Sequence, residues 1–244
     1  MPNKYPPLED LKKSGEILKK AFLIAEKIIK PGISTAEINK SIHKFIVSSG
    51  AAATFLGYRG FPSACCTSVN EEVVHGIPSS RRLQEGDILS LDCGVTYNRA
   101  ITDACRTYGV GTISSEARLL IDITREALRT AIQQAVVGNR VGDISYAIQK
   151  TAERPGFNVA RQFGGHGVGY QLHMLPLIPN YGERGIGELL VSGMVLAIEP
   201  VVFRGSFKTK EMDDWKVVSL HSNLSAHFEN TVFISREGPI VLTE

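Results

Sequence analysis

The chain repeats itself. Gly32, Glu37, Ile38 and Ile42 find counterparts in Gly138, Asp143, Ile144 and Ile148, each 106 residues further on, and Gly86, Leu89, Leu91 and Asp92 find theirs in Gly193, Leu196, Ile198 and Glu199, each 107 further on. Two blocks in the same order at nearly the same offset predict two related halves, about 8–105 and 114–235, packed around a pseudo-twofold axis. No low-complexity linker separates them, and 244 residues are enough to bury a substantial core. The expectation is a single catalytic domain, 1–244, built from an internal duplication.

Each half opens with a helical pattern. Leu8, Leu11, Leu18, Phe22, Ala25 and Ile29 form an apolar stripe that ends at Pro31-Gly32. The counterpart is read from about Ser115 through Leu119, Ile123, Leu128 and Ile132 to Gly138. A second helix follows in each half: Ser34-Thr35-Ala36-Glu37 reads as an N-terminal cap before Ile38, Ile42 and Phe45, and Gly142-Asp143 leads a later one towards Pro155. Strand patterns come next. Asp87 to Asp92 and Met194 to Glu199 both alternate, so Leu89, Leu91, Leu196 and Ile198 share one face and the terminal acids the other. The fold class is therefore α+β, with an antiparallel inner sheet covered by helices.

Asp92, Asp103, His166, Glu199 and Glu229 recur at the ends of such runs or within a glycine-rich one. Four carboxylates and an imidazole form an oxygen-rich set suited to two adjacent divalent cations, because negative charge gathered so tightly needs a counter-charge. With His75 and His173 the set points to a metal-dependent hydrolase. His166 stands in Gly164-Gly165-His166-Gly167-Val168-Gly169, whose glycines are expected to allow unusual backbone angles and a close approach to a cation. A phosphate-binding loop is excluded by the lack of a following Lys-Ser/Thr. His43, His221 and His227 are read as structural or surface residues.

Composition narrows the setting. A net charge of +2 argues against nucleic acid or an anionic membrane as partner. No apolar run approaches the roughly 20 residues of a membrane span. Met1 to Pro7 lacks the apolar core of a signal peptide, so a cytoplasmic location is expected. Cys65, Cys66, Cys93 and Cys105 show no CxxC spacing and are expected to be reduced and buried.

The ligand order, together with Val73-Val74-His75-Gly76-Ile77-Pro78, Gly165-His166-Gly167-Val168-Gly169, Ile198-Glu199-Pro200 and Ala226-His227-Phe228-Glu229-Asn230-Thr231, resembles the type I methionine aminopeptidases from about Leu8 to Ile234. The resemblance implies the pita-bread fold and removal of initiator methionine ahead of a small second residue by a metal-bridged hydroxide. It implies that Asp103 and Glu229 bridge two cations (Co, Mn, Fe(II) or Zn), that Asp92 completes one shell, and that His166 and Glu199 complete the other. Glu199 would be the general base, His173 would stabilise the oxyanion, and His75 would contact the backbone nitrogen of the leaving residue. Tyr58, Phe61, Cys66 and Trp215 match positions that line the methionine pocket. Peptide N-termini are the implied substrates, transient ribosome association is reasonable, and a monomer is expected.

The chain departs from that pattern at Phe55, where cysteine is common, at Leu172, usually aromatic, at Met174, usually acidic, and at Ile101, often histidine. Two further readings stay open: a related dinuclear aminopeptidase with another first-residue preference, and a non-catalytic binding paralogue.

Overall fold

A computed structural model describes residues 5–212 and 215–244; Met1 to Lys4, on which part of the signal-peptide reading rests, lie outside the described residues. Helices α1 (Leu8–Ile28) and α2 (Thr35–Ser48) precede strands β1 (Cys66–Val69), β2 (Ile88–Tyr97) and β3 (Ala100–Gly109). Helices α3 (Ser115–Ile132) and α4 (Val141–Glu153) precede β4 (Gly164–Gly167), β5 (Met174–Pro179), β6 (Val195–Ile198), β7 (Asn230–Ser235) and β8 (Gly238–Val241).

In the first half, β2 pairs with β3 on one side and on the other with β1 and the short strand Ala52–Ala53; the second half has the order β8-β7-β6-β4-β5. All of these pairings are antiparallel. The alternation places Leu89, Leu91 and Val95 against α1 and α2, beside Leu18, Phe22, Ile38 and Ile42. Leu196, Ile198 and Val232 pack in the same way on Leu120, Leu128, Ile144 and Ile148 of α3 and α4. Each such side chain, fully withdrawn from water, contributes about 1.5–3 kcal/mol of hydrophobic stabilisation.

The repeated residues make repeated contacts. Gly32 and Gly138 take φ of 91° and 95°, and Gly86 and Gly193 of 90° and 96°, a region in which only glycine is unstrained. Gly32 N–H donates to Leu83 O at 2.8 Å and Gly138 N–H to Leu190 O at 3.1 Å; Leu83 N–H returns to Ile33 O, and Leu190 N–H to Asn139 O, both at 2.8 Å. Glu37 accepts the Ser34 N–H and Asp143 the Arg140 N–H, each at 2.8 Å, so both second helices start on the same carboxylate cap. This is the pita-bread architecture, two pseudo-twofold halves with helices outside and sheet inside.

Three local expectations are corrected. Helix α3 ends at Ile132 and does not reach Gly138. Its buried line is Ala117, Leu120, Ile121, Thr124 and Leu128, whereas Leu119 is 48% exposed, one helical step off the core face. Of the glycines around His166, Gly169 takes a positive φ of 159°, whereas Gly165 and Gly167, which flank the ring, serve close strand packing and not unusual angles. A Cβ on Gly165 would lie 2.3 Å from Ala197 O, and one on Gly167 2.4 Å from Leu175 O.

Candidate active site

The two sheets meet along one seam. Cys105 in β3 and Glu229 exchange backbone hydrogen bonds, with Glu229 N–H to Cys105 O at 3.0 Å and Cys105 N–H to Glu229 O at 3.4 Å. Two residues to either side, threonine hydroxyls replace the next main-chain partner. Thr231 Oγ1 accepts from Asp103 N–H and donates to Asp103 O, both at 2.8 Å. Thr107 Oγ1 accepts from His227 N–H at 2.9 Å and donates to His227 O at 2.8 Å. The half-buried Arg106 guanidinium ties the seam down, donating to Cys105 O, Glu229 O, Asn230 Oδ1 and Thr243 O.

Strand register then sets out the acids. Cys66, Asp92, Cys105 and Glu229 follow one another across four strands in one row. Gly94, Asp103, Thr231, Ala197 and His166 make the next row, two residues along and on the same face. Ligand atoms of Asp103, His166 and Glu229 lie within 4.8 Å of one another. Glu199, just after β6, brings Oε1 to 3.5 Å from His166 Nε2.

A cavity of about 400 Å³ opens over these rows. Its lining includes Asp92, Asp103, His166, Glu199 and Glu229, both accessory histidines His75 and His173, and the apolar wall Phe55, Tyr58, Phe61, Cys66, Leu172 and Trp215. The sequence-predicted residues are thus brought together; Met174 and Ile101 are not among the lining residues. Phe55 fits because Gly94 has no side chain, since a Cβ there would lie 2.9 Å from the phenyl ring. Tyr58 O–H and His173 Nδ1 are 2.8 Å apart, and the His173 ring lies 4.5 Å from that of His166. His75 takes φ of 60° and sets its ring edge-on to Phe163 and Trp215.

One reading is corrected. His227, read as structural or surface, is buried and lines the cavity: it is 3% exposed, with Nε2 3.5 Å from Glu199 Oε2 and 3.8 Å from Glu229 Oε2. Its position two residues before Glu229, hence on the same strand face, is the signal that would have found it. Arg59, Gln162, Phe163 and Leu177 also line the cavity without having been singled out.

The electrostatics are those of a site built around positive charge. Burial, and then the charge of neighbouring acids, pushes the Asp92, Glu199 and Glu229 carboxyls well above the usual range. Burial raises Asp103 to about 7. Burial and the neighbouring His173 lower His166 to about 4, and burial lowers His227 to about 3. Asp92 Oδ1, Asp103 Oδ1 and Glu229 Oε1 are buried without a hydrogen-bond partner, a costly state for a carboxylate unless a cation is bound. His166 Nδ1 lies 3.0 Å from Gly167 O. A carbonyl only accepts, so the ring proton sits on Nδ1 and the Nε2 lone pair faces the Glu199 carboxylate, acceptor against acceptor. The donor set fits divalent cations.

The sequence profile of metallopeptidase family M24 matches residues 9–236, and the chain belongs to that family of hydrolases. Within it, the resemblance runs over nearly the full length to bacterial methionine aminopeptidases. The chain is 47% identical to the methionine aminopeptidase of Clostridium perfringens over 234 residues, covering 96% of this chain and 94% of that one. It is 44% identical to methionine aminopeptidase 1 of Bacillus subtilis, with the same coverage of both. The crystal structure of the Thermotoga maritima methionine aminopeptidase superposes with a TM-score of 0.96 at 39% identity, covering 99% of both chains. The prolidase of Pyrococcus furiosus shares the fold at a TM-score of 0.79 and 25% identity, covering 97% of this chain and 63% of that one.

Proposed function

We propose that this chain removes methionine from the N-terminus of polypeptides whose second residue is small, with two divalent cations held by Asp92, Asp103, His166, Glu199 and Glu229. The observation that carries the reading is the convergence of these five side chains, with orphaned carboxylate oxygens, on the floor of one apolar-walled cavity. Asp103 and Glu229, brought together at the seam, would be shared between the cations, Asp92 would serve one, and His166 with Glu199 the other. When bound, the cations supply an acidified water as nucleophile and a Lewis acid for the scissile carbonyl.

The chain's own groups do the rest. Glu199, whose burial raises its affinity for a proton, takes one from the attacking water at its carboxylate and passes it to the leaving amine. Burial keeps His173 neutral by lowering its pKa, aided by the charges of Arg59 and His75. With Tyr58 O–H donating to Nδ1, the ring proton sits on Nε2, where it donates to the developing oxyanion. His75, held at the opposite wall by Phe163 and Trp215, contacts the backbone nitrogen of the second residue. Tyr58, Phe61, Cys66 and Trp215, with Phe55 and Leu172, form an aromatic and sulfur-lined wall suited to a thioether. The whole is one catalytic unit derived from two copies of an ancestral half. It works in the cytoplasm as a monomer on emerging chains, in transient contact with the ribosome.

Phe55 and Leu172 in the pocket wall favour one second reading, the same chemistry with a different first-residue preference. One assay decides: release of the first residue from Met-Ala-Ser and from matched Leu- and Pro-led peptides, with Co(II), Mn(II) or Fe(II) and with chelator. Metal-dependent methionine release is expected. Faster release of another residue supports the second reading, and folded but inert protein overturns both.

A further inference from the structure

The pseudo-twofold axis does more than pair Asp92 with Glu199. At the seam it relates Thr107 to Thr231, Cys105 to Glu229, and Asp103 to His227, each pair 124 residues apart. The hydrogen bonds bear this out: the hydroxyl of Thr231 brackets the backbone of Asp103 as that of Thr107 brackets the backbone of His227. His227 therefore occupies, in the second half, the place that a cation-facing carboxylate occupies in the first.

Its side chain behaves accordingly. Nε2 is buried with no hydrogen-bond partner, 3.5 Å from one carboxylate oxygen and 3.8 Å from another. An N–H donor between two carboxylates would close on one of them to about 2.9 Å. A lone pair facing two carboxyl groups needs a proton or a cation between them, and both separations are too long for an O–H···N bond. The geometry points to His227 as a sixth ligand, its Nε2 donating to the cation held by Glu199 and Glu229. Four carboxylates and two imidazoles make a softer site than one imidazole alone, favouring Co(II), Zn(II) or Fe(II) over Mn(II) or Mg(II). The inference rests on the metal reading proposed above and adds a ligand to it.

Proton NMR of the Co(II)-loaded protein tests it without relying on activity. Two exchangeable, strongly shifted imidazole N–H resonances are expected in the unmutated protein, from His166 and His227, and one after His227→Gln. Calorimetry of the same variant should show Co(II) affinity weakened about tenfold or more, with a smaller loss for Mn(II). A loaded, unmutated protein with a single such resonance overturns the sixth ligand and leaves the metal reading standing; protein that takes up no Co(II) overturns both. Because the decisive spectrum is that of the unmutated chain, misfolding of the variant does not blur the result.

Discussion

The two halves share a frame and differ in strand number and in the connection beside the site. In the first, β2 and β3 join through a tight turn at Asn98-Arg99, both at positive φ. In the second, the equivalent ladder continues past Glu199-Pro200, with Val201 opposite His227, but its two sides are joined by the long excursion 204–224. That excursion carries the short strands Thr209–Glu211 and Val217–Ser219 and delivers Trp215 to the cavity. The duplicated strand ends set out charge, and the excursion adds Trp215 to a wall otherwise supplied by Phe55, Tyr58, Phe61, Cys66 and Leu172.

The symmetric mates Asp92 and Glu199 offer the sharpest break. Glu199→Ala is expected to lower kcat by about 10³-fold or more while melting stays cooperative; Asp92→Ala should act chiefly by weakening cation binding, seen in calorimetry. Near-normal turnover in the Glu199 variant would remove it as the base. His173→Ala should cost about 10²-fold in kcat, and Tyr58→Phe less, because Nε2 stays in place while only its tautomer is freed. An effect confined to KM contradicts the oxyanion role.

A third expectation concerns stability without metal. Asp103 holds its proton up to about 7 in the fold but to only about 4 in an unfolded chain. The folded state thus binds the proton more tightly, and the stabilisation present at low pH is lost as pH rises from about 4 through 7. His166 and His227, lowered by burial to about 4 and 3, act in the opposite sense up to about pH 6.5. With chelator, the melting temperature should therefore fall between about pH 6.5 and pH 8, where Asp103 and the other raised acids ionise. Divalent cation should restore most at the higher pH. A flat or rising profile would mean that the acids are not held as the burial implies. The smallest effect tests the frame itself: Gly32→Ala and Gly138→Ala should each cost about 1–2 kcal/mol, and a large inequality in denaturant midpoints would show that the two turns are not equivalent.

Much of this was readable in one dimension. The duplicated Gly-Xaa-Xaa-Leu-Xaa-Leu-Asp and Gly-Xaa-Xaa-Leu-Xaa-Ile-Glu patterns fix both strand face and acid position, because a period of two leaves no freedom once one face is apolar. The cap of α2, Ser34 with Glu37, was legible for the same local reason. His227 was not, since its importance comes from register across the seam, which no short window contains. Leu119 misled because leucines on neighbouring helical faces look alike until the partner is known. The glycines about His166 were legible as glycines, but their cause, carbonyls of Ala197 and Leu175 pressing from adjacent strands, is a tertiary fact.

The backbone rung between Cys105 and Glu229, flanked by its two threonine clasps and backed by further main-chain ties between the halves such as Ile101 N–H to Gly169 O and Ser225 N–H to Asn70 O, has a dynamic consequence. With candidate ligands on both sides of that rung, from Asp92 to Glu229, a bound cation would cross-link segments distant in sequence. Slow amide exchange at these two residues would then report whole-molecule opening, and metal occupancy would set its rate.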